Sequence, residues 1–156
     1  MNAEHVNAFL TPSVQVIRKM AGVDVRLGKV QIHSAMQMTD HLSIVIGLQG
    51  GLSGAVILTA QRAVAAALAA RVAGEALEEP GGEECRAILA ELANTIVGNA
   101  TGHLYELGIR QSITPPTVVS GSEVRFDFGA GTRSVRIPLD TEVGRVDVIV
   151  SLTRRS

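Results

Sequence analysis

The sequence predicts an α+β domain, mixed α/β in composition, in which an antiparallel sheet packs against helices. Three observations carry that expectation. Helical and strand-like patterns alternate in the order helix, strands, helix, long helix, strands. The strand-like runs are short and rich in Val, Ile and Leu, and Gly50-Gly51 with Ser53-Gly54 supplies a hairpin turn between two of them. With 156 residues, 46% apolar and 19% charged, the chain has the length and core material of one ordinary domain, 1–156, and no linker or low-complexity tract divides it.

The elements follow in order. Residues 4–21 read as a helix because Phe9, Val14, Ile17 and Met20 recur near helical spacing and Gly22 provides a stop; Pro12 marks either a kink or a first turn. Val23–Ile32, Leu42–Leu48 and Gly54–Thr59 read as strands. Gln61–Ala73 is an Ala-rich helix closed by Gly74, and Pro80-Gly81-Gly82 breaks the chain. Glu83–Leu107 is the longest helix, with Glu83 and Glu84 suited to its positive end and Gly108 after it. Thr114-Pro115-Pro116-Thr117 opens an extended stretch, followed by strands over Val118–Phe128, Thr132–Pro138 and Arg145–Leu152. Val146, Val148 and Val150 alternate with Arg145, Asp147 and Ile149, the pattern of a half-buried strand. A weak internal pseudo-repeat is visible: Gly22-Val23 and Gly108-Ile109 each end a helix and begin extended chain, offset by 86 residues.

Composition narrows the function classes. A net charge of −1 and 3% aromatic residues argue against a nucleic-acid partner, which would require a basic face and stacking side chains. Arg133, Arg136, Arg145, Arg154 and Arg155 read as solvated charges on alternating strand positions and at the terminus. The lone Cys85 allows no intrachain disulfide, and on the apolar side of its helix it reads as a small core residue. The first twenty residues lack a basic segment followed by an apolar one. The greasiest helical stretch, Ala63–Ala70, lies between Arg62 and Arg71 and is too short to span a bilayer. A cytoplasmic protein without membrane insertion is expected.

The long helix holds the most informative pattern. Leu89, Leu92, Ile96, Ala100 and Leu107 share its core side, flanked by Ile88, Ala93 and His103. Glu91 and Asn94 lie opposite, with Ala87, Gly98, Thr101 and Tyr105, and three residues apart they are neighbours on the helix surface. Such a pair is common on solvated helices. Here Ala87, Ala90 and Gly98 are small enough for a partner's backbone to approach, and a mid-helix glycine costs about 1 kcal/mol relative to Ala.

The segment Glu91-Leu-Ala-Asn94-Thr-Ile-Val-Gly98-Asn99-Ala100 resembles the signature helix of the CheC/CheX/FliY phosphatase family, and of its CheX branch in particular: Glu, two residues, Asn, then Pro some twenty residues on, where Pro115 and Pro116 stand. Asn7-Ala-Phe-Leu10, the Gly47–Val56 hairpin and the late strands extend the resemblance over nearly the whole chain. Many members carry Asp or Ser four residues before the Glu, where this chain has Ala87. The 86-residue offset carries Glu91 and Asn94 back onto His5 and Ala8, so one active site per chain is expected.

The resemblance implies a phosphatase acting on the aspartyl phosphate of a CheY-like response regulator, with Glu91 and Asn94 catalytic and Ala87, Ala90, Gly98 and Thr101 forming the docking surface. An acyl phosphate already hydrolyses unaided, so positioning one water in line with phosphorus can carry the catalysis. Asn94 offers an acceptor and a donor on a short stem, able to hold a water and face a phosphoryl oxygen. By resemblance, Glu91 pairs with the regulator's phosphate-contacting Lys. No cofactor or metal of the chain's own is implied; Mg²⁺ belongs to the regulator. The resemblance also implies a homodimer associating partly through sheet edges. The competing reading is a non-catalytic module that docks a response regulator or serves as a flagellar-switch-like scaffold.

Other constellations read as structural. The four glycines of Gly47–Gly54 precede a strand and lack Gly-Lys-Ser/Thr, so a hairpin is expected and not a phosphate cradle. His5, His33, His41 and His103 show no metal-ligand spacing. His33 and His41 read as exposed loop residues, His103 as a satisfied core histidine, and Asn99 as a structural residue on the edge of the core face. Glu75, Glu78, Glu79, Glu83 and Glu84 read as a solvated acidic stretch, with steering toward a basic partner as the functional alternative.

Overall fold

The computed structural model describes residues 3–129 and 132–154. Helices α1 (Ala3–Ala21), α2 (Arg62–Ala73) and α3 (Glu83–Glu106) accompany eight strands: β1 (Val25–Leu27), β2 (Gln31–His33), β3 (Ala35–Gly50), β4 (Leu52–Gln61), β5 (Gln111–Ile113), β6 (Thr117–Asp127), β7 (Ser134–Thr141) and β8 (Gly144–Arg154). The strands form one antiparallel sheet in the order β1-β7-β8-β4-β3-β5, with β2 also on β7 and β6 also on β3. This is the expected α+β architecture.

The sheet makes the pseudo-repeat concrete. β1 and β2 pair with β7, as β5 and β6 pair with β3, and the centre is the β4–β8 pair. The 86-residue offset superposes Val25–Leu27 on Gln111–Ile113. Gly22 and Gly108 both take positive φ, 63° and 84°, to end their helices.

Strand boundaries depart from the sequence reading for local reasons. The expected strand Val23–Ile32 is split in two, because its partner β7 continues through Pro138 to Thr141 and a proline cannot donate to the ladder. Opposite that gap the Gly28 N–H donates to the Pro138 carbonyl at 2.8 Å. β3 begins seven residues earlier than Leu42; Met36 and Met38 alternate inward, and Asp40, at φ 53°, bends the strand where its pairing with β6 skips a residue. Pro12 lies buried well inside α1, beyond its first turn.

Two apolar layers flank the sheet. The larger joins α1, α2 and α3 to Leu42, Ile44, Ile46, Leu58, Val148 and their neighbours. On the other face, Met36 and Met38 of β3 with Val124 and Phe126 of β6 curl over Ile57 and Ile149. β8 is therefore buried on both faces: Asp147 and Ile149 are as inaccessible as Val146 and Val148, against the half-buried strand expected. Arg136 and Arg145 are correspondingly not free solvated charges. Both bind Asp147, Arg136 through Nε and Nη2 to Oδ2 at 3.1 and 2.6 Å and Arg145 through Nε to Oδ1 at 2.9 Å. Arg133 is exposed, and Arg155 lies outside the described residues.

Candidate functional site

α3 positions the site. Its buried residues are Cys85, Leu89, Leu92, Ala93, Ile96, Val97, Ala100 and Leu104, an arc set by successive steps of about 100° per residue. Glu91 points almost directly away from the centre of that arc and is exposed; Ala87 and Gly98 are exposed with it. Asn94 lies nearer the arc's edge, beside the Val97 flank, and is half-buried, as are Ala90 and Thr101. The helix thus presents a crest (Ala87, Glu91, Gly98, Tyr105) and a shoulder (Ala90, Asn94, Thr101). The sequence phase placed all of these outward, and the shoulder is the finer detail it did not resolve.

The end of the helix corrects other expectations. Leu107 and His103 fall at core angles but are exposed, Leu107 by 45%, while Leu104 in the same last turn is fully buried. His103 is not a core histidine. Asn99 sits just outside the arc, is exposed, and bonds no neighbouring loop among the described residues. His33 and His41 lie on β2 and β3, half-buried, and not in loops. Among the described residues no cluster of His, Cys, Asp and Glu could hold a metal ion.

The site's chemistry lies in what its polar groups leave unused. The Glu91 carboxylate forms no ion pair and the Asn94 carboxamide no hydrogen bond among the described residues; beyond the helix's own ladder, the Glu91 main-chain carbonyl accepts from Thr95 Oγ1 at 2.8 Å. Thr101 Oγ1 turns back to the Gly98 carbonyl at 2.7 Å, leaving the Gly98 surface bare. A Cβ added at Gly98 would meet nothing within 4 Å, so no intramolecular contact requires glycine there. An unpaired anion and an unengaged amide therefore stand side by side on a rigid helix, next to a patch without side chains.

The corresponding helix of the first half offers no second site. His5 and Ala8, which the 86-residue offset aligns with Glu91 and Asn94, are 7% and 5% exposed and face the core.

A family model described as Chemotaxis phosphatase CheX matches residues 42–140, which include the second part of β3, all of α3 and the Pro115-Pro116 turn. The chain belongs to the CheX family. Among curated proteins, the "CheY-P phosphatase CheX" of Thermotoga maritima is 31% identical over 130 residues, covering 83% of this chain and 84% of that one. Among solved structures, a CheC-like superfamily protein from Shewanella sp. PV-4 superposes with a TM-score of 0.88 at 23% identity, over 98% of this chain and 99% of that one. The CheX of a CheX–CheY–BeF₃–Mg²⁺ complex from Borrelia burgdorferi superposes with a TM-score of 0.79 at 22% identity, over 96% and 98%. The CheX fold accordingly accounts for the whole described chain.

One feature beside the CheX helix escaped the sequence reading. Gly98, Thr101, Gly102, Tyr105, Arg110 and Gln111 line an open concavity at the C-terminal half of α3. Arg110 and Gln111 follow the Gly108 turn, and that turn is the signal that could have found them, since it folds the chain back beside the helix it ends. No helix among the described residues is long and apolar enough to cross a membrane.

Proposed function

We propose that this chain hydrolyses the aspartyl phosphate of a CheY-like response regulator, with Glu91 as the anchoring anion and Asn94 as the residue that orients the attacking water. The observation that carries the reading is the adjacency of an unpaired Glu91 carboxylate and an unengaged Asn94 amide on the outward side of α3. The name of the Thermotoga maritima relative supports the reaction. Water attacks phosphorus as the bond to the aspartyl oxygen breaks, releasing phosphate and the regulator's carboxylate. The Asn94 carbonyl accepts a hydrogen bond from that water while its NH₂ donates to a phosphoryl oxygen. Glu91 meets a lysine of the regulator, which removes the penalty of an anion near phosphate. Mg²⁺ is the regulator's ion, this chain holds none of its own, and the reaction takes place in the cytoplasm.

The test is the lifetime of phosphorylated regulator with and without the protein. A shortening of the lifetime supports the reading. Binding without any shortening would leave a docking module and overturn the enzymatic reading. Two substitutions separate anchor from surface. Glu91→Ala is expected to raise KM and lower kcat together, since losing the ion pair also loosens the placement of Asn94. Gly98→Leu is expected to raise KM about tenfold or more by blocking approach, while stabilising the helix by up to about 1 kcal/mol, because a side chain fits there without contact. A Gly98→Leu protein with unchanged KM would remove Gly98 from the docking surface.

We also propose that the protein is a homodimer joined partly through sheet edges. The β1–β2 edge carries Leu27, Val30 and Ile32, exposed by 47%, 37% and 61%, and among the described residues β6 has no strand on its outer side. Light scattering at high micromolar concentration should give twice the monomer mass; monomer alone would refute it.

A further inference from the structure

The Gly50-Gly51 hairpin does more than turn the chain: it clamps the segment that follows α3. Gly51 N–H donates to the Arg110 carbonyl at 3.0 Å. Gln111 straddles Leu52, its Oε1 accepting from the Leu52 N–H at 2.6 Å and its Nε2 donating to the Leu52 carbonyl at 2.7 Å. Gly50 has φ 132°, and a Cβ there would lie 2.4 Å from the Arg110 carbonyl oxygen, so the close approach of the two main chains requires glycine. The main chain of Arg110 is thus fixed on both sides. Its side chain is exposed and makes no ion pair or hydrogen bond among the described residues. Across the concavity stands Tyr105, 60% exposed.

This surface continues the face that holds the proposed site. Tyr105 lies eleven residues beyond Asn94 and within about 60° of it around the helix, hence about 16 Å along the axis. An interface of ordinary size covers about 800 Å² per partner, a patch about 16 Å in radius. A partner centred on Asn94 therefore reaches Tyr105 and the rim held by Arg110. An exposed aromatic across the concavity from an unpaired arginine on a fixed main chain is the composition of an interface anchor, and the guanidinium's fork matches a carboxylate.

We propose that Arg110 and Tyr105 form a second docking point that engages a carboxylate-bearing segment of the regulator's receiver domain and so selects among regulators. The inference rests on the reading of Glu91 and Asn94 as the site. Neither residue touches the phosphoryl group, so their loss falls on recognition and not on the chemical step.

The test measures binding and turnover separately. Each CheY-like receiver of the host is loaded with beryllofluoride and Mg²⁺ for binding, and with phosphate for turnover. Arg110→Glu is expected to raise both Kd and KM at least tenfold at low salt, Arg110→Ala and Tyr105→Ala about three- to tenfold, and Arg110→Lys less than Arg110→Ala. In each case kcat stays within about twofold. The Arg110→Ala penalty shrinks at high salt, as a screened ion pair requires. Arg133→Glu, the same charge change on an exposed arginine just before β7, should alter neither constant. If wild type hydrolyses the phosphate but Arg110→Glu and Tyr105→Ala keep wild-type Kd and KM, this inference falls and the phosphatase reading stands. If wild type binds without hydrolysing, the phosphatase reading falls and the Kd series alone decides the docking point. If no receiver binds, both fall.

Discussion

Asn94→Ala is expected to lower kcat for regulator dephosphorylation by about a hundredfold while changing KM by less than about threefold. The magnitude follows from what is removed. Loss of a single transition-state hydrogen-bond donor costs about 10²–10³ in kcat, and misplacing a reacting group by about 1 Å costs about 10². Among the described residues the amide has no partner whose loss could complicate the result, and α3 is held by Leu92, Ile96 and Ala100 on its other side. Alanine is the best helix former, so stability should hold or rise slightly. Asn94→Asp and Asn94→Gln sharpen the test. The carboxylate keeps the acceptor but loses the donor and sets a negative charge beside phosphate, so both kcat and KM should deteriorate. The longer amide keeps both functions but reaches too far, so kcat should fall with little change in KM. Stopped-flow measurement of dephosphorylation over a range of phosphorylated regulator gives both constants. An Asn94→Ala protein that turns over at the wild-type rate would remove Asn94 from the mechanism.

The legibility of this site in the sequence has a physical basis. α3 is long and its burial follows helical phase, so the outward positions of Glu91 and Ala87 could be read by counting residues. Counting fails in the last turn, where Leu104 is buried but Leu107 and His103, also at core phase, are exposed. It also misses contacts made by the return of the chain, which is why Arg110 and Gln111 went unnoticed beside Tyr105. The sheet was harder to read. Met36-Gln37-Met38 alternates with the period of a strand, but it lies among polar residues, and its burial depends on curling over β4 and β8. The split of β1 from β2 is governed by Pro138, more than a hundred residues away. The solvated-charge reading held for Arg133 but failed for Arg136 and Arg145, because their partner Asp147 is buried at a position that the strand's own alternation marks as outward.

That buried carboxylate gives the largest expected effect on stability. Asp147→Ala should destabilise the protein by about 3 kcal/mol and lower Tm by about 6–12 °C. Asp147 is 4% exposed at its side chain, Arg136 20% and Arg145 50%. Removing the carboxylate leaves Arg136 with its desolvation uncompensated, on a face where Ile149 and Ile57 supply no acceptor. The two arginines are not equivalent. Arg145 can return its charge to water, so Arg145→Ala should cost less than about 1 kcal/mol, whereas Arg136→Ala, which strands the anion, should approach the cost of Asp147→Ala. Replacing the inner pair together, as Arg136→Met with Asp147→Leu, removes both charges and fills the space with apolar atoms, and should recover most of the loss. Urea unfolding at constant m gives these free energies, and the cycle closed by the double variant Arg136→Ala with Asp147→Ala gives the coupling between Arg136 and Asp147. The triad lies on the sheet face opposite α3, so the chemistry has no share in it, and kcat at low temperature should be unchanged in every one of these proteins. A coupling near zero, with Asp147→Ala as stable as wild type, would mean that the triad organises charge on the sheet without holding the fold together.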